Sequence, residues 1–247
     1  MLIGTYRKSQ TYYWDNPNKS VVNKSVGYGP DNPKEHKQYM KKFGKGWYYY
    51  QKDISYVQNS HGFREKELDE VDWSNSIVVL GCSMVWGCGN AIEDTIPYIL
   101  QETLGIPTVN LGVSGAGLDL STYNSLFLHN HYPRPKAIVH IWSGMARYME
   151  FKPDNGHRFI VPSHQDYCIS HDWESKNKLL VELERTVWKD KVPRYEGSFF
   201  KSTSEKLNID QLERFDNSRD QYHPGYMSNQ SAAKTIAQNL LKQGVKK

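Results

Sequence analysis

Three residues far apart in the chain are of types that could share a proton. Ser83 lies in Gly81-Cys82-Ser83-Met84-Val85-Trp86-Gly87, directly after the apolar run Ser76-Ile77-Val78-Val79-Leu80. Asp220 and His223 stand three residues apart in Asp220-Gln221-Tyr222-His223-Pro224, close enough for one loop to present both. A serine hydroxyl is a poor nucleophile near neutral pH until an imidazole removes its proton and a carboxylate fixes that imidazole's tautomer. Ser83, His223 and Asp220 are candidates for those three parts. A strand that ends in a Gly-flanked turn leading to a helix exposes a side chain above a parallel sheet, and Ser83 sits at such a point. Between these two ends runs Val109-Asn110-Leu111-Gly112-Val113-Ser114-Gly115-Ala116-Gly117, a second short strand entering small residues, so that the Gly115 amide could face Ser83.

Taken together, these blocks resemble the SGNH hydrolases, the GDSL-type esterase and lipase superfamily. Its members carry the nucleophile in a GDS-like first block, a glycine in an NxGxSG-like second block and DxxH in the last. The order and spacing match from about Asn59 onward, and Asn59-Ser60-His61-Gly62-Phe63-Arg64 resembles the lead-in of some bacterial and phage members. Each motif alone is weak, whereas three in order with that lead-in are fairly specific. The resemblance implies a three-layer α/β/α fold with a parallel sheet, flavodoxin-like in arrangement. It also implies a Ser83-His223-Asp220 triad acting on ester bonds without metal or organic cofactor, and an oxyanion hole built from the amides of Ser83 and Gly115.

Two positions depart from the family pattern. Cys82 replaces the Asp of GDS, which need not touch the triad because the catalytic carboxylate comes from DxxH. In the third block the family commonly places an Asn whose amide donates to the oxyanion; here the strand Ala137 to Trp142 runs into Ser143-Gly144-Met145-Ala146-Arg147, and Ala146 falls at that place. Losing one oxyanion donor typically costs about 10²- to 10³-fold in rate. The Ser143 hydroxyl or the Arg147 guanidinium could compensate. Arg147 could also bind an acidic substrate group, but its first reading is an ion pair with Glu150.

The elements that must position these groups follow from periodicity. Strands over Ile77 to Leu80, Thr108 to Leu111 and Ala137 to Trp142 alternate with helices through Ile96, Leu100 and Leu104 and over Leu118 to Leu128. Such βαβαβ alternation implies parallel strands with the site at their carboxyl ends, where Ser83, Gly115 and Ser143 all fall. Beyond Phe151 the pattern thins. A helix is expected over Ser175 to Val187, and Arg194 to Phe200 is the best candidate for a fourth strand. A last helix, capped by Ser228 or Asn229 and carrying Ala232, Ile236, Leu240 and Leu241 on one face, should anchor the His223 loop.

The first sixty residues read differently. Tyr12, Tyr13, Trp14, Trp47, Tyr48, Tyr49 and Tyr50 sit among Asn, Lys, Gly and Pro with little periodic pattern, which predicts an irregular arm over 1–60 before a catalytic domain over 61–247. Its rings either bury themselves on the domain, the favoured reading, or offer a stacking platform for sugars.

Composition excludes several classes. The net charge of +4 comes from 31 basic and 27 acidic residues without a block of like charges, which does not indicate nucleic-acid binding. Cys82, Cys88 and Cys168 are an odd set at unrelated spacings, which argues against a disulfide framework or a structural zinc. No signal-peptide core and no run of about eighteen apolar residues is present, so a soluble, cytoplasmic protein is expected, virion-associated if phage-encoded. Of the nine histidines, His140 lies inside an apolar strand and reads as a core residue, His61 reads as structural, and His36, His129, His131, His157, His164 and His171 flank helix ends or stand in polar loops. The expected partner is a small-molecule or glycan ester, the first choice being small acyl esters on a glycan. The alternatives are a lipase or thioesterase on longer chains, and a non-catalytic glycan-binding module on the same fold.

Overall fold

The computed structural model describes residue 2 and residues 27–28, 31–152, 156–160 and 172–246, with the backbone alone described at 149–152 and 156–160. Its centre is an all-parallel sheet built from β1 (Ile77–Gly81), β2 (Thr108–Gly112), β3 (Ala137–Ile141), β6 (Arg194–Ser198) and β7 (Asp210–Gln211), in the order β2-β1-β3-β6-β7. Registers run Ile77 beside Thr108 and Ala137, and Ile138 beside Arg194. The antiparallel hairpin of β4 (Tyr148–Lys152) and β5 (Gly156–Ile160) stands apart.

Both faces of the sheet are covered, which is why its central strands read as unbroken apolar runs. On one face Val78, Leu80, Val109, Leu111 and Ile138 pack with Leu120 and Leu128 of α4 (Leu118–His131) and Trp188 of α5 (Trp173–Trp188). On the other, Ile77, Val79, Val139 and Ile141 pack with Ile96 and Leu100 of α3 (Ile96–Leu104), and with Ala233, Ile236 and Leu240 of α7 (Tyr226–Lys242). Alternate residues of β1 thus serve opposite layers, as the pleat requires, and the expected three-layer α/β/α architecture is observed.

The fourth strand predicted over 194–200 is present as β6 and pairs with β3. A fifth, the two-residue β7, follows after α6 (Lys201–Leu207). The last helix starts earlier than expected, at Tyr226. It is capped not by Ser228 or Asn229 but from outside, Asp216 accepting the Met227 and Ser228 amides at 3.1 and 2.9 Å.

The irregular arm requires a correction: Pro33–Phe43 forms an 11-residue helix, α1. Its signals are local. Asn32 accepts the Glu35 amide at 2.8 Å, Pro33 stands in the first turn, Lys41 and Lys42 in the last, and Gly44 follows at φ 72°. Its apolar side chains after Pro33 are few, Tyr39, Met40 and Phe43 among charged and polar residues, and all lie in its second half. Of the aromatic residues in this segment, Tyr49 and Tyr56 are buried with Ile54 against Trp86, Cys88 and Ala91, and Trp47 packs alongside. Tyr48 is exposed, its ring stacked on Tyr226 with centroids 5.2 Å apart. Tyr12, Tyr13 and Trp14 lie outside the described residues.

Candidate active site

The turn that carries Ser83 is tight. β1 ends at Gly81 and a four-residue helix, α2 (Ser83–Trp86), begins two residues later, closed by Gly87 at φ 87° whose amide donates to the Ser83 carbonyl. Glycine is required on both sides of this turn. A Cβ on Gly81 would lie 2.6 Å from the Ile141 carbonyl oxygen, and one on Gly112 would lie 2.3 Å from the Trp86 amide nitrogen, so β2 and β3 close directly around the serine's turn. Asn110 binds the same place from below, donating to the Val85 carbonyl at 3.1 Å and accepting the Gly112 amide at 2.9 Å.

The second half of the site is the loop between Asp216 and Gly225. It folds back on itself through the Ser218 amide to the His223 carbonyl (2.9 Å) and the Gly225 amide to the Asp216 carbonyl (3.1 Å). Inside that loop Gln221 takes a left-handed φ of 65°. The turn aims the Tyr222 and His223 amides at Asp220 Oδ1, at 2.9 and 3.0 Å, and the Ser218 hydroxyl donates to the same oxygen at 2.7 Å. The other oxygen, Oδ2, stands 2.6 Å from His223 Nδ1, and His223 Nε2 stands 2.8 Å from Ser83 Oγ. Burial raises the Asp220 carboxyl, but its bond to His223, the imidazole's charge, the Ser218 hydroxyl and the Tyr222 amide outweigh burial and hold it below the usual carboxylate range. An ionised Asp220 accepting from Nδ1 leaves Nε2 as the acceptor for the serine proton.

The remaining predicted residues fall around this relay unevenly. Gly115, at φ 80°, follows β2, and Ser143 follows β3, so both stand on the carboxyl edge beside Ser83. Among the described residues no backbone acceptor takes the amide hydrogens of Ser83 or Gly115. Among the described residues the Ser143 hydroxyl is buried without a hydrogen-bond partner, whereas Ala146 is exposed. Arg147 lies with its guanidinium 5.7 Å from the Phe200 ring centroid, and its buried Nη1 has no partner among the described residues; the Glu150 side chain, its expected partner, lies outside them. His61 contacts Ser60 and Glu67 rather than the triad. His140 is buried in β3 and stacked on Trp142 with ring centroids 4.1 Å apart. Cys82 and Cys88 are free and buried, while Cys168, His157, His164 and His171 lie outside the described residues. Arg219, directly before Asp220, pairs with Asp31. Ser218 was not singled out in the sequence, although a serine two residues before an Asp can bond it locally. Among the described residues no cluster of three or more His, Cys, Asp or Glu is arranged to hold a metal ion, and no helix is long and apolar enough to cross a membrane.

No protein-family model and no curated protein matches the chain. Solved structures do. A GDSL-like lipase from Bacteroides uniformis is similar with TM-score 0.46 at 12% identity, over 68% of this chain and 96% of that one. A member of the lipolytic G-D-S-L family from Veillonella parvula is similar with TM-score 0.43 at 11% identity, over 68% and 96%. AlinE4, an SGNH-hydrolase family esterase, is similar with TM-score 0.37 at 15% identity, over 58% and 77%.

Proposed function

We propose that this chain is a serine esterase of the SGNH superfamily that hydrolyses small acyl esters, with 61–247 as its catalytic domain. The observation that carries this reading is the relay of two short contacts, 2.8 Å from Ser83 Oγ to His223 Nε2 and 2.6 Å from His223 Nδ1 to Asp220 Oδ2. Ser83 Oγ attacks the ester carbonyl carbon as His223 takes its proton. The C–O bond to the alcohol breaks, His223 protonates the departing alkoxide, and a water deprotonated by His223 then releases the acid and restores Ser83.

The developing oxyanion would be met by the Ser83 and Gly115 amides. Ser143 supplies a third donor in this reading, since its buried hydroxyl has no other partner among the described residues. Arg147 is the candidate for an acidic group on the substrate. A glycan carrying the ester is favoured by the aromatic side chains near the loop: Tyr222, next to His223, is 67% exposed, and Tyr39 of α1 lies within electrostatic reach of it. A second reading, a glycan-binding module without turnover, is favoured by Ala146, which has no side-chain donor to offer.

The test is hydrolysis of p-nitrophenyl acetate and of longer-chain esters by wild type and Ser83→Ala side by side. Acetate turnover that falls about 10⁴-fold or more in the variant, with an unchanged melting temperature, is the expected result. Preference for long chains would make the protein a lipase or thioesterase, and equal rates in the two proteins would remove Ser83 as nucleophile.

A further inference from the structure

The nucleophile turn and the acid-base loop are joined by a closed circuit of contacts that runs through the N-terminal segment. Arg219, directly before Asp220, donates its backbone amide to the Gly89 carbonyl at 2.9 Å, three residues beyond α2. The Gly89 amide donates to the Tyr56 hydroxyl at 3.0 Å, and the Tyr56 hydroxyl donates to Asp31 Oδ1 at 3.1 Å. The circuit closes where Asp31 Oδ2 accepts from Arg219 Nε. Arg219 Nη2 also donates to the Gly27 carbonyl at 2.6 Å, and its guanidinium lies 4.4 Å from the Tyr28 ring centroid. Asp31 and Arg219 are 4% and 3% exposed.

Each link leaves little room for play. Gly89 takes φ 73°, and a Cβ there would come within 2.3 Å of the Ser218 hydroxyl, the group that holds Asp220. Tyr56 stacks on Trp86 of α2 with centroids 5.1 Å apart. Arg64 lies over both rings and donates to the Gly87 and Asn90 carbonyls. Asn90 in turn donates to the Pro224 carbonyl at 3.0 Å, one residue after His223. A buried arginine fork satisfied by a carboxylate, a carbonyl and a ring face is a rigid mount, and it is mounted on the backbone of the residue that precedes the relay's carboxylate.

We infer that Asp31 and Arg219 are positioning residues, through which the segment containing Asp31 and Tyr56 sets the distance between the Asp220-His223 loop and Ser83. This rests on the esterase reading above. Reacting groups must meet within fractions of an ångström, so a loosened mount lowers turnover more than substrate binding.

The experiment compares wild type, Asp31→Asn, Arg219→Met and Arg219→Lys in p-nitrophenyl acetate hydrolysis across pH and in the rate of Ser83 labelling by a fluorophosphonate. Asp31→Asn and Arg219→Met are expected to lower kcat and the labelling rate about 10- to 100-fold, with KM close to wild type. The charge left behind gives a signature that simple loosening of the fold does not. Removing the negative charge of Asp31 in Asp31→Asn disfavours protonated His223 and moves the acid limb of kcat/KM to lower pH, whereas removing the positive charge of Arg219 in Arg219→Met moves it to higher pH. Arg219→Lys keeps the charge but not the fork, so its limb returns toward wild type while kcat stays reduced. If Arg219→Met does not fold, the isosteric Asp31→Asn and the Lys variant decide. Wild-type labelling rates in variants that fold would overturn the inference, as would losses that track the melting temperature with an unmoved limb. No labelling of wild type at Ser83 would overturn the esterase reading itself, and the inference with it.

Discussion

Asp220 is held on both carboxylate oxygens, and its ionisation is therefore tied to the folded state. Burial acts to raise its pKa, but His223, Ser218 and the Tyr222 amide lower it by more. A carboxylate whose folded pKa lies below its unfolded value of about 3.9 adds stability that is present above that value and is lost as pH falls through the folded pKa. Asp220→Asn should therefore flatten the acid side of the melting-temperature profile while lowering turnover about 10⁴-fold at neutral pH, because Asn no longer fixes the imidazole tautomer. Thermal scans from pH 5 to pH 2, set against the rate at pH 7.5, check both. An unchanged rate would remove Asp220 from the relay. At this scale the sequence was most legible where chemistry is local: Ser83, Asp220 and His223 announce themselves by residue type and order. Arg219 could not be placed, because its partner, Asp31, is 188 residues away and no periodicity links the two.

At the scale of elements, strands were legible in proportion to how completely both of their faces are buried. Runs such as Ile77 to Leu80 show a continuous apolar signal. β6 gave only a weak one, since Arg194 and Glu196 alternate with Tyr195 and Gly197 and pair with the charged side chains of α5. That same pairing surrounds His140 in the middle of β3. Its Nδ1 lies 3.7 Å from Glu184 Oε1, but neither ring nitrogen has a hydrogen-bond partner among the described residues. Burial first, then the charges of Arg194 and Arg185, push the imidazole well below its ordinary value, while burial raises the Glu184 carboxyl to about 7 against the pull of Arg194 and Ser125. The two signs oppose. A histidine held neutral gives stability that is present above its unfolded value of about 6.5 and lost as pH falls, whereas an acid held protonated loses stability as pH rises from about 4.5 toward 7. His140→Leu removes the first effect and leaves the second. Its melting temperature should gain on wild type as pH is lowered from 7 to 5, and a difference independent of pH would show that His140 is free to charge in place.

For the whole molecule, the question is whether the described N-terminal residues are an appendage or part of one folding unit. Tyr49 gives the clearest answer. Its ring is buried between the segment and α2, its carbonyl accepts from His36 of α1 at 2.9 Å, and its hydroxyl donates to Asn90 at 2.7 Å and accepts the Tyr226 amide at the start of α7 at 2.9 Å. One residue thus joins α1 through its carbonyl, and the loop after Ser83 to the helix that anchors the His223 loop through its phenol. Tyr49→Phe keeps the packing but strands Asn90 Oδ1 and the Tyr226 amide, and a buried polar group left unsatisfied costs about 1–3 kcal/mol. For a chain of this size each kcal/mol lowers the melting temperature by roughly 2–4 °C, so a fall of about 2–12 °C is expected if the segment and the sheet unfold together. Calorimetry of wild type and variant reads this directly. A single transition that moves as a whole is the expected trace, because the contacts of Tyr49 reach both sequence halves of the site. A separate low-temperature transition that alone moves in the variant, with the main one fixed, would make the segment an independent appendage and would uncouple it from the geometry around Ser83.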